Sequence, residues 1–434
     1  MSRGARRRCA LAALGLSMVL AGATDASAAP DAILAAAGDI SCPTTEPLAR
    51  KSCHQAATAA LVAGINPSAV AVLGDNQYEA GALSDYLSAF APTWGPFKSL
   101  MHPAAGNHEY GTPGAAGYFQ YFGPAAGDPA RGYYSYDLGS WHVVVLNSNC
   151  PFVACTTGSE QEQWLRRDMA AHSRSCSLAY WHHALFSSQG GDPRMSDIWR
   201  TLTQANVDVV LSGHNHVYER FAPQDASGAP DPLRSPREFV VGTGGKSLGL
   251  IRQVRPNSEA HDTESFGVLA LTLGATGYNW RFVTEDRGVT DLGAAACHDH
   301  TPAALRSLRI APRRFSSAPR GASLAAVAGA LVRYRLSEPA STAFTVQAPR
   351  VGRRYGARCV LVRHPITPRN RCTLWTTLPG TFARSSPGGH QRVRFTGRLA
   401  GRRLRPGRYR LRALTTDLLG NVGDPVTAGF EIAR

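Results

Sequence analysis

Five short apolar runs in this chain each end in a residue able to bind a metal, and that recurrence limits what the chain can fold into. Ala32-Ile33-Leu34-Ala35-Ala36-Ala37 ends in Gly38-Asp39. Ala69-Val70-Ala71-Val72-Leu73 ends in Gly74-Asp75, with Tyr78 three residues on. Leu100 to Ala104 delivers Gly106-Asn107-His108-Glu109. Ser177-Leu178-Ala179-Tyr180-Trp181 runs into His182-His183. Val207-Asp208-Val209-Val210-Leu211 runs into Ser212-Gly213-His214-Asn215-His216. Short, nearly continuous apolar runs read as strands buried on both faces, the habit of parallel sheets. The residues that follow such strands lie at their carboxyl ends, where open α/β sheets bind ligands.

The intervening stretches complete a βαβ pattern. Helices are expected near 55–63, 82–97 (broken near Pro92), 159–171 and 196–204, and Ser159 with Glu162 fits a capping box. Tyr133 to Leu138 and Trp141 to Leu146 read as a hairpin turned at Gly139-Ser140. Residues 110–132 are rich in Gly, Pro and Ala and read as a long, substrate-facing loop. Strand candidates at 238–242, 266–273 and 278–283 close the region. The expected fold class is α/β: a layered βαβ sandwich of two packed sheets flanked by helices, over residues 29–300.

From Ser307 onward the helical period disappears. Short alternating runs replace it at 330–336, 344–347, 392–399, 409–415 and 428–432, separated by Gly, Pro and Asn. Residues 301–434 are therefore expected to form a small immunoglobulin-like β-sandwich. That stretch holds 25 arginines and only four acidic residues, a net of +21, whereas the whole chain is +15. Such asymmetry allows contact with an envelope polyanion. The chain has only three lysines, Lys51, Lys98 and Lys246, which makes arginine-favouring codon use the preferred reading of the charge. No nucleic-acid-binding motif accompanies the charge.

Residues 1–28 read as a secretory signal: Arg3, Arg6, Arg7 and Arg8 precede the apolar Ala10 to Ala21, and Ala26-Ser27-Ala28 forms a small-residue cleavage site. No other stretch is apolar enough for a transmembrane helix, so the mature protein is expected to be secreted or associated with the cell envelope. Cys9 falls within the signal, and the other eight cysteines suit disulfides in an oxidising compartment. The expected pairs are Cys42–Cys53, Cys150–Cys155, Cys359–Cys372 and Cys176–Cys297. Zinc binding is the competing reading, but no Cys-x-x-Cys pair occurs.

Together the strand ends offer Asp39, Asp75, Tyr78, Asn107, His108, His182, His183, His214 and His216. Oxygen and imidazole donors without thiolate suit Fe, Mn or Zn. Each His taken singly is more commonly a packed or surface residue, and Gly-Asp is a common turn; the ordered series is what carries weight. A carboxylate such as Asp75 can bridge two cations. Two ions about 3.5–4 Å apart can activate water near neutral pH and clamp an in-line displacement at phosphorus. His108 would then serve the leaving group. His183 either orients substrate or simply packs.

These motifs, Asp39, Gly-Asp75-x-x-Tyr78, Gly-Asn107-His108-Glu109, His182 and Gly-His214-x-His216, resemble the calcineurin-like metallophosphoesterase superfamily over about residues 31–285. They look most similar to the purple acid phosphatases. Most superfamily members carry a His two residues after the first Asp; here Ser41 stands there, where purple acid phosphatases usually have Gly, and Tyr78 matches the tyrosine that replaces the lost ligand. The resemblance implies Asp39, Tyr78 and His216 on Fe(III), and Asn107, His182 and His214 on Fe(II), Zn(II) or Mn(II), with Asp75 bridging and His108 assisting catalysis. It favours His182 over His183 as ligand because His183-Ala184-Leu185-Phe186 matches the family's following stretch in spacing, although Ala184 stands where Pro is usual. The plant enzymes carry an extra β domain before the catalytic one, whereas here the β region follows it.

The implied activity is a secreted phosphatase hydrolysing phosphate monoesters of small molecules. The same centre would equally serve a phosphodiesterase or nucleotidase. A third reading is an envelope polyanion-binding protein whose phosphatase domain is vestigial.

Overall fold

The structure, a computed structural model, describes residues 31–172, 176–299, 301–325, 329–356, 358–361 and 370–434. The segment 1–28, read above as a signal, lies outside the described residues. Among the described residues no helix is long and apolar enough to cross a membrane.

The first sheet joins β1 (Ala32–Ala37), β2 (Ala69–Leu73), β3 (Met101–Ala104), β11 (Gly267–Leu273), β12 (Gly277–Thr284) and β13 (Gly288–Ala296) in the order β13-β12-β11-β1-β2-β3. The strands β1, β2 and β3 run parallel, and the other pairings are antiparallel. The second sheet joins β4 (Tyr134–Leu138), β5 (Trp141–Val145), β6 (Cys176–His183), β7 (Val209–Gly213), β8 (Tyr218–Phe221), β9 (Arg237–Val241) and β10 (Ser258–Asp262) in the order β10-β8-β9-β7-β6-β5-β4. Its middle strands β5, β6, β7 and β9 run parallel.

The two sheets pack face to face. Side chains alternate across a strand, so β5, β6 and β7 each feed two cores. Val143, Val145, Leu178, Tyr180, Val209 and Leu211 meet Leu34, Val70 and Val72 between the sheets. Val144, Ala179, Trp181 and Val210 face the opposite way, toward Leu165 and Met169 of helix Glu160–Ala171 and Ile198, Trp199 and Leu202 of helix Ser196–Gln204. Burial on both faces explains why these strands read as continuous apolar runs instead of alternating ones.

Several local expectations change. Residues 110–132 are not an open loop. They hold three short 3₁₀ turns and the helix Ala116–Phe122, whose Tyr118, Phe119, Tyr121 and Phe122 enter the inter-sheet core. Aromatics at helical spacing decide the matter over the Gly, Pro and Ala around them, so the helix turns these side chains inward while much of the rest of the stretch stays exposed. The helical run that begins at Leu83 passes through Pro92 and ends at Thr93, and after a turn at Trp94 a 3₁₀ stretch continues over Gly95–Leu100, so the expected break falls just past the proline. A wide π turn at Tyr86–Phe90 immediately precedes it, and such widening relieves the crowding of a proline ring against the preceding turn. The capping box is half formed. Ser159 accepts from the Glu162 amide, but the Glu162 carboxylate takes the Gly158 amide instead. Strands β8, β10 and β13 were not expected, because their burial is short or one-sided.

Beyond β13 the described residues are strands in sheets around a third core, which includes Val332, Phe344, Phe395, Leu411 and Phe430. The largest departure there is a ribbon of two strands, Ala340–Tyr355 and Arg371–Ser386, each of 16 residues. The second strand was missed since most of its side chains are exposed or half-buried and it shows no apolar run. The four disulfides are Cys42–Cys53, Cys150–Cys155, Cys176–Cys297 and Cys359–Cys372, the pairing favoured above though spacing alone does not fix it.

A charged bridge fastens helix Glu160–Ala171 to the edge of the second sheet. His142 is 2% exposed, and its Nδ1 and Nε2 reach Asp137 Oδ1 at 2.8 Å and Asp168 Oδ2 at 2.7 Å. Burial alone would lower the imidazole's pKa, but the hydrogen bonds to Asp168 and Asp137 outweigh it and raise it. Burial would raise Asp168, and His142 holds it below the usual carboxylate range instead. The signs follow from linkage. The histidine's contribution is full below its unfolded pKa of about 6.5 and fades as pH rises through the folded value. The aspartate's is full above its unfolded pKa of about 3.9 and fades as pH falls through the folded one. His142→Asn is therefore expected to lower the denaturant midpoint most between about pH 4 and pH 6.5. The gap from the parent should narrow in alkali and in strong acid; a gap independent of pH would contradict the charged bridge.

Candidate metal centre

The parallel strands of both sheets end on one edge, and the polar residues after them meet there. From the first sheet, β1 delivers Asp39, β2 delivers Asp75 and Tyr78, and β3 delivers Asn107 and His108. From the second, β6 ends in His182-His183, and β7 leads to His214 and His216. The backbone is bent hard to do this. Asp39, Asp75 and His214 have φ of 58°, 47° and 67°, in the left-handed region that non-glycine residues rarely adopt. Strain of this kind gathers at functional sites. Two glycines make room. A Cβ on Gly74 would lie 2.6 Å from His182 Nδ1, and one on Gly106 would lie 2.2 Å from Asp75 Oδ1.

Asp75 sits at the middle. Its Oδ2 is 3.2 Å from the Tyr78 hydroxyl and 3.1 Å from His182 Nε2. On the Tyr78 side, that hydroxyl is 2.9 Å from Asp39 Oδ1 and 3.1 Å from His216 Nε2, which itself lies 3.2 Å from Asp39 Oδ1. On the His182 side, Nε2 is 3.2 Å from Asn107 Oδ1 and 3.3 Å from His214 Nδ1. The structure thus brings Asp39, Asp75, Tyr78, Asn107, His182, His214 and His216 into one chain of donor atoms, with one carboxylate oxygen between two groups.

Neighbours aim the donors. His182 Nδ1 donates to the Leu73 carbonyl at 2.9 Å, which turns Nε2 toward the centre. His216 Nδ1 meets Ser247 Oγ at 2.7 Å, and its Nε2 faces the centre. Asp39 and Asp75 are buried side by side, which would raise both pKa values. Contact with His216 lowers Asp39, and contact with His182 and His108 holds Asp75 well below the usual range. Burial also lowers the His182 pKa, but Asp75 lifts it to about 9. Tyr78 is pushed far above its ordinary pKa by burial, then by the charges of Asp39 and Asp75.

The donor set fits a pair of cations. Two buried carboxylates, a phenol, an amide oxygen and three imidazoles converge without thiolate, the chemistry of Fe, Mn or Zn sites. The imidazole nitrogens of His182 and His214 face each other, and the Tyr78 oxygen faces two carboxylates, an arrangement that a cation would relieve. Asp39, Asp75 and His182 form one group with mutually close ligand atoms, and His182, His183 and His214 form a second.

His108 and His183 stand beside this chain of donors. His108 is partly exposed, and its Nε2 is 3.8 Å from Asp75 Oδ2 while Nδ1 donates to the Glu79 carbonyl. His183 is 6% exposed, and Ser148 Oγ accepts from its backbone amide and meets its Nδ1 at 2.8 Å. Burial and the neighbouring His182 and His214 push its pKa down to about 3, so the ring is neutral. Its ring centre is 4.5 Å from that of His214, so it packs against a ligand and at the same time belongs to the site.

Sequence reasoning assigned no role to Glu109, although it named the residue. Its fully buried carboxylate accepts the backbone amides of Asp75 (2.9 Å), Asn76 (2.9 Å) and Gly106 (2.6 Å) and the Tyr86 hydroxyl (2.8 Å). Glu109 thereby ties the turn after β2 to the turn after β3. Its place beside His108 was the available signal. Ser148 and Ser247 carried none.

Residues 31–218 match the sequence pattern of the calcineurin-like phosphoesterases. Among curated proteins, the chain is 29% identical over 239 residues to a probable purple acid phosphatase 20 of Arabidopsis thaliana, covering 47% of this chain and 54% of the relative. It is 33% identical over 147 residues to purple acid phosphatase 22 of the same plant, covering 31% and 32%. The matches thus span about half or less of the relatives' length. A solved purple acid phosphatase from yellow lupin seeds superposes with a TM-score of 0.55 at 19% identity, over 62% of this chain and 54% of that one, which establishes a shared fold. Residues 31–218 thus carry the pattern of the calcineurin-like phosphoesterases, and purple acid phosphatases are among the proteins this chain resembles.

Proposed function

We propose that this chain is an exported phosphatase with a dinuclear metal centre, hydrolysing phosphate monoesters of small molecules. The observation that carries the reading is the position of Asp75 Oδ2, within 3.2 Å of both Tyr78 and His182. Asp39, Tyr78 and His216 would hold one ion, Fe(III) by resemblance. Asn107, His182 and His214 would hold the other, Fe(II), Zn(II) or Mn(II). Two ions so held supply an activated water and a charge clamp for in-line displacement at phosphorus.

The remaining steps fall to the chain's own groups. His108 Nδ1–H is tied to the Glu79 carbonyl, so Nε2 is the nitrogen that exchanges a proton with the leaving oxygen. His183, neutral and with Nδ1 engaged by Ser148, keeps an Nε2–H for a phosphate oxygen. Glu109 and the paired glycines fix the turns, so little reorganisation accompanies reaction. Asn107 and His214 are exposed, which leaves the centre open to substrate. Export is supported by the four disulfides and the signal-like residues 1–28.

Hydrolysis of an aryl phosphate monoester beside the matching diester, from acid to alkaline pH, tests the reading. Faster monoester cleavage is expected, with Asn107→Ala slower by on the order of 100-fold or more. Preferred diester cleavage would assign the centre to phosphodiesters or nucleotides, and no cleavage by folded, metal-loaded protein would mean a vestigial domain. The metal assignment has its own optical test. Tyr78→Phe is expected to abolish the visible tyrosinate-to-iron absorption of the iron-loaded chain, and colour that survives the change would exclude Tyr78 as ligand.

A further inference from the structure

The arginines of residues 301–434 are opposed across strands differently in its two larger sheets. In the sheet containing Leu305–Ala311, Ala330–Leu336 and Gly389–Phe395, the pairing register sets arginine against arginine. Arg309 faces Arg333, and Arg333 faces Arg392, making a row across three strands. Further along, Arg306 faces Arg335, which faces His390. All six side chains are exposed, while Val332, Tyr334, Val393 and Phe395 between them are buried. The rows therefore share the outer face.

Like charges directly opposite one another destabilise a sheet. Here no acid offsets them: among the described residues Arg306, Arg309, Arg333, Arg335 and Arg392 form no ion pair, and the one such pair in this region is Arg314–Glu431, on another sheet. That other sheet opposes two arginines at one end, Arg353 against Arg371, but elsewhere it spaces its charges differently. Arg408 faces Glu431, Arg412 lies between Thr427 and Thr345, and Arg410 stacks over Trp375 at 4.1 Å. What sets the sheet of Arg309 and Arg333 apart is not its arginine content but the continuation of opposed charges across three strands.

Two hollows open beside these arginines. A hollow of about 630 Å³ is lined by Arg309, Arg333, His390 and Arg392, and a second of about 640 Å³ by Arg384, Arg392 and Arg394. Arg392 belongs to both. Neighbouring strands are about 4.8 Å apart, so each row offers closely repeated guanidinium forks, which match phosphate oxygens two at a time. The outward positions of the three strands carry no Phe, Tyr or Trp, and His390 is a lone small ring there, so the face lacks the row of aromatic rings on which successive bases stack.

We infer that this face binds a linear, base-free phosphate polymer lying across the strands. The choice of phosphate over carboxylate rests on the phosphatase reading above. Binding is best measured on the full chain carrying Asn107→Ala, so that a failure of the catalytic reading leaves the result intact. The probe is long-chain inorganic polyphosphate titrated at several salt concentrations. Arg333→Ser with Arg392→Ser is expected to weaken binding about tenfold or more and to lower the salt slope by roughly 1 to 2. Arg408→Ser with Arg412→Ser should change affinity less than about twofold, since those charges lie outside the rows. Removing opposed like charges should not lower the thermal midpoint. Should it do so, Arg333→Lys with Arg392→Lys keeps the charge, loses the fork and should still weaken binding. Equal losses from the two serine pairs would overturn the assignment to this face, as would absence of binding. Tighter binding of a single-stranded oligonucleotide would overturn the base-free ligand, and tighter binding of polyglutamate would overturn phosphate.

Discussion

The contact between Asp75 and His182 holds the account together. Asp75 ends a strand of the first sheet and His182 ends a strand of the second, and their side chains meet at 3.1 Å. A centre spread over two sheets forms only if those sheets pack in one register, which the alternating side chains of β5, β6 and β7 enforce from between. The largest core of the region and the candidate ligands are thus parts of one constraint. A shift of any parallel strand by one residue would turn its ligand away from the edge.

Fixing the ligands has a cost in backbone conformation, and the structure offsets it locally. The left-handed turns at Asp39, Asp75 and His214 expose amides that need acceptors. The Asp75 amide finds Glu109, and the His214 amide finds Asp39 Oδ2 at 2.8 Å. One ligand's carboxylate thereby shapes the turn that carries another. Glu109 performs a similar task without facing the centre, and burying its charge is tolerable because three amides and a phenol receive it.

Much of this was legible in sequence, because strands buried on both faces announce themselves as apolar runs and the ligands follow them directly. The spacing of Asp75 and Tyr78 placed two donors on one turn, and His214 and His216 likewise. What could not be read were contacts between distant segments: Ser148 under His183, Ser247 under His216, and Glu109 across two turns. The helix Ala116–Phe122 was hidden by its Gly and Pro neighbours, and strand Arg371–Ser386 by its exposed face. Arginine content was plain from composition, but its alignment into rows is a property of register, which composition does not contain.

The central claim is that Asp75 joins two metal-binding groups. Elemental analysis of the purified chain, beside an Asp75→Asn variant of matched folding, tests it most directly. The account predicts about two ions per parent chain and loss of both ions from the variant, since each depends on the shared carboxylate. Full retention of one ion in the variant, or a parent chain that takes up none when metal is supplied, would contradict it.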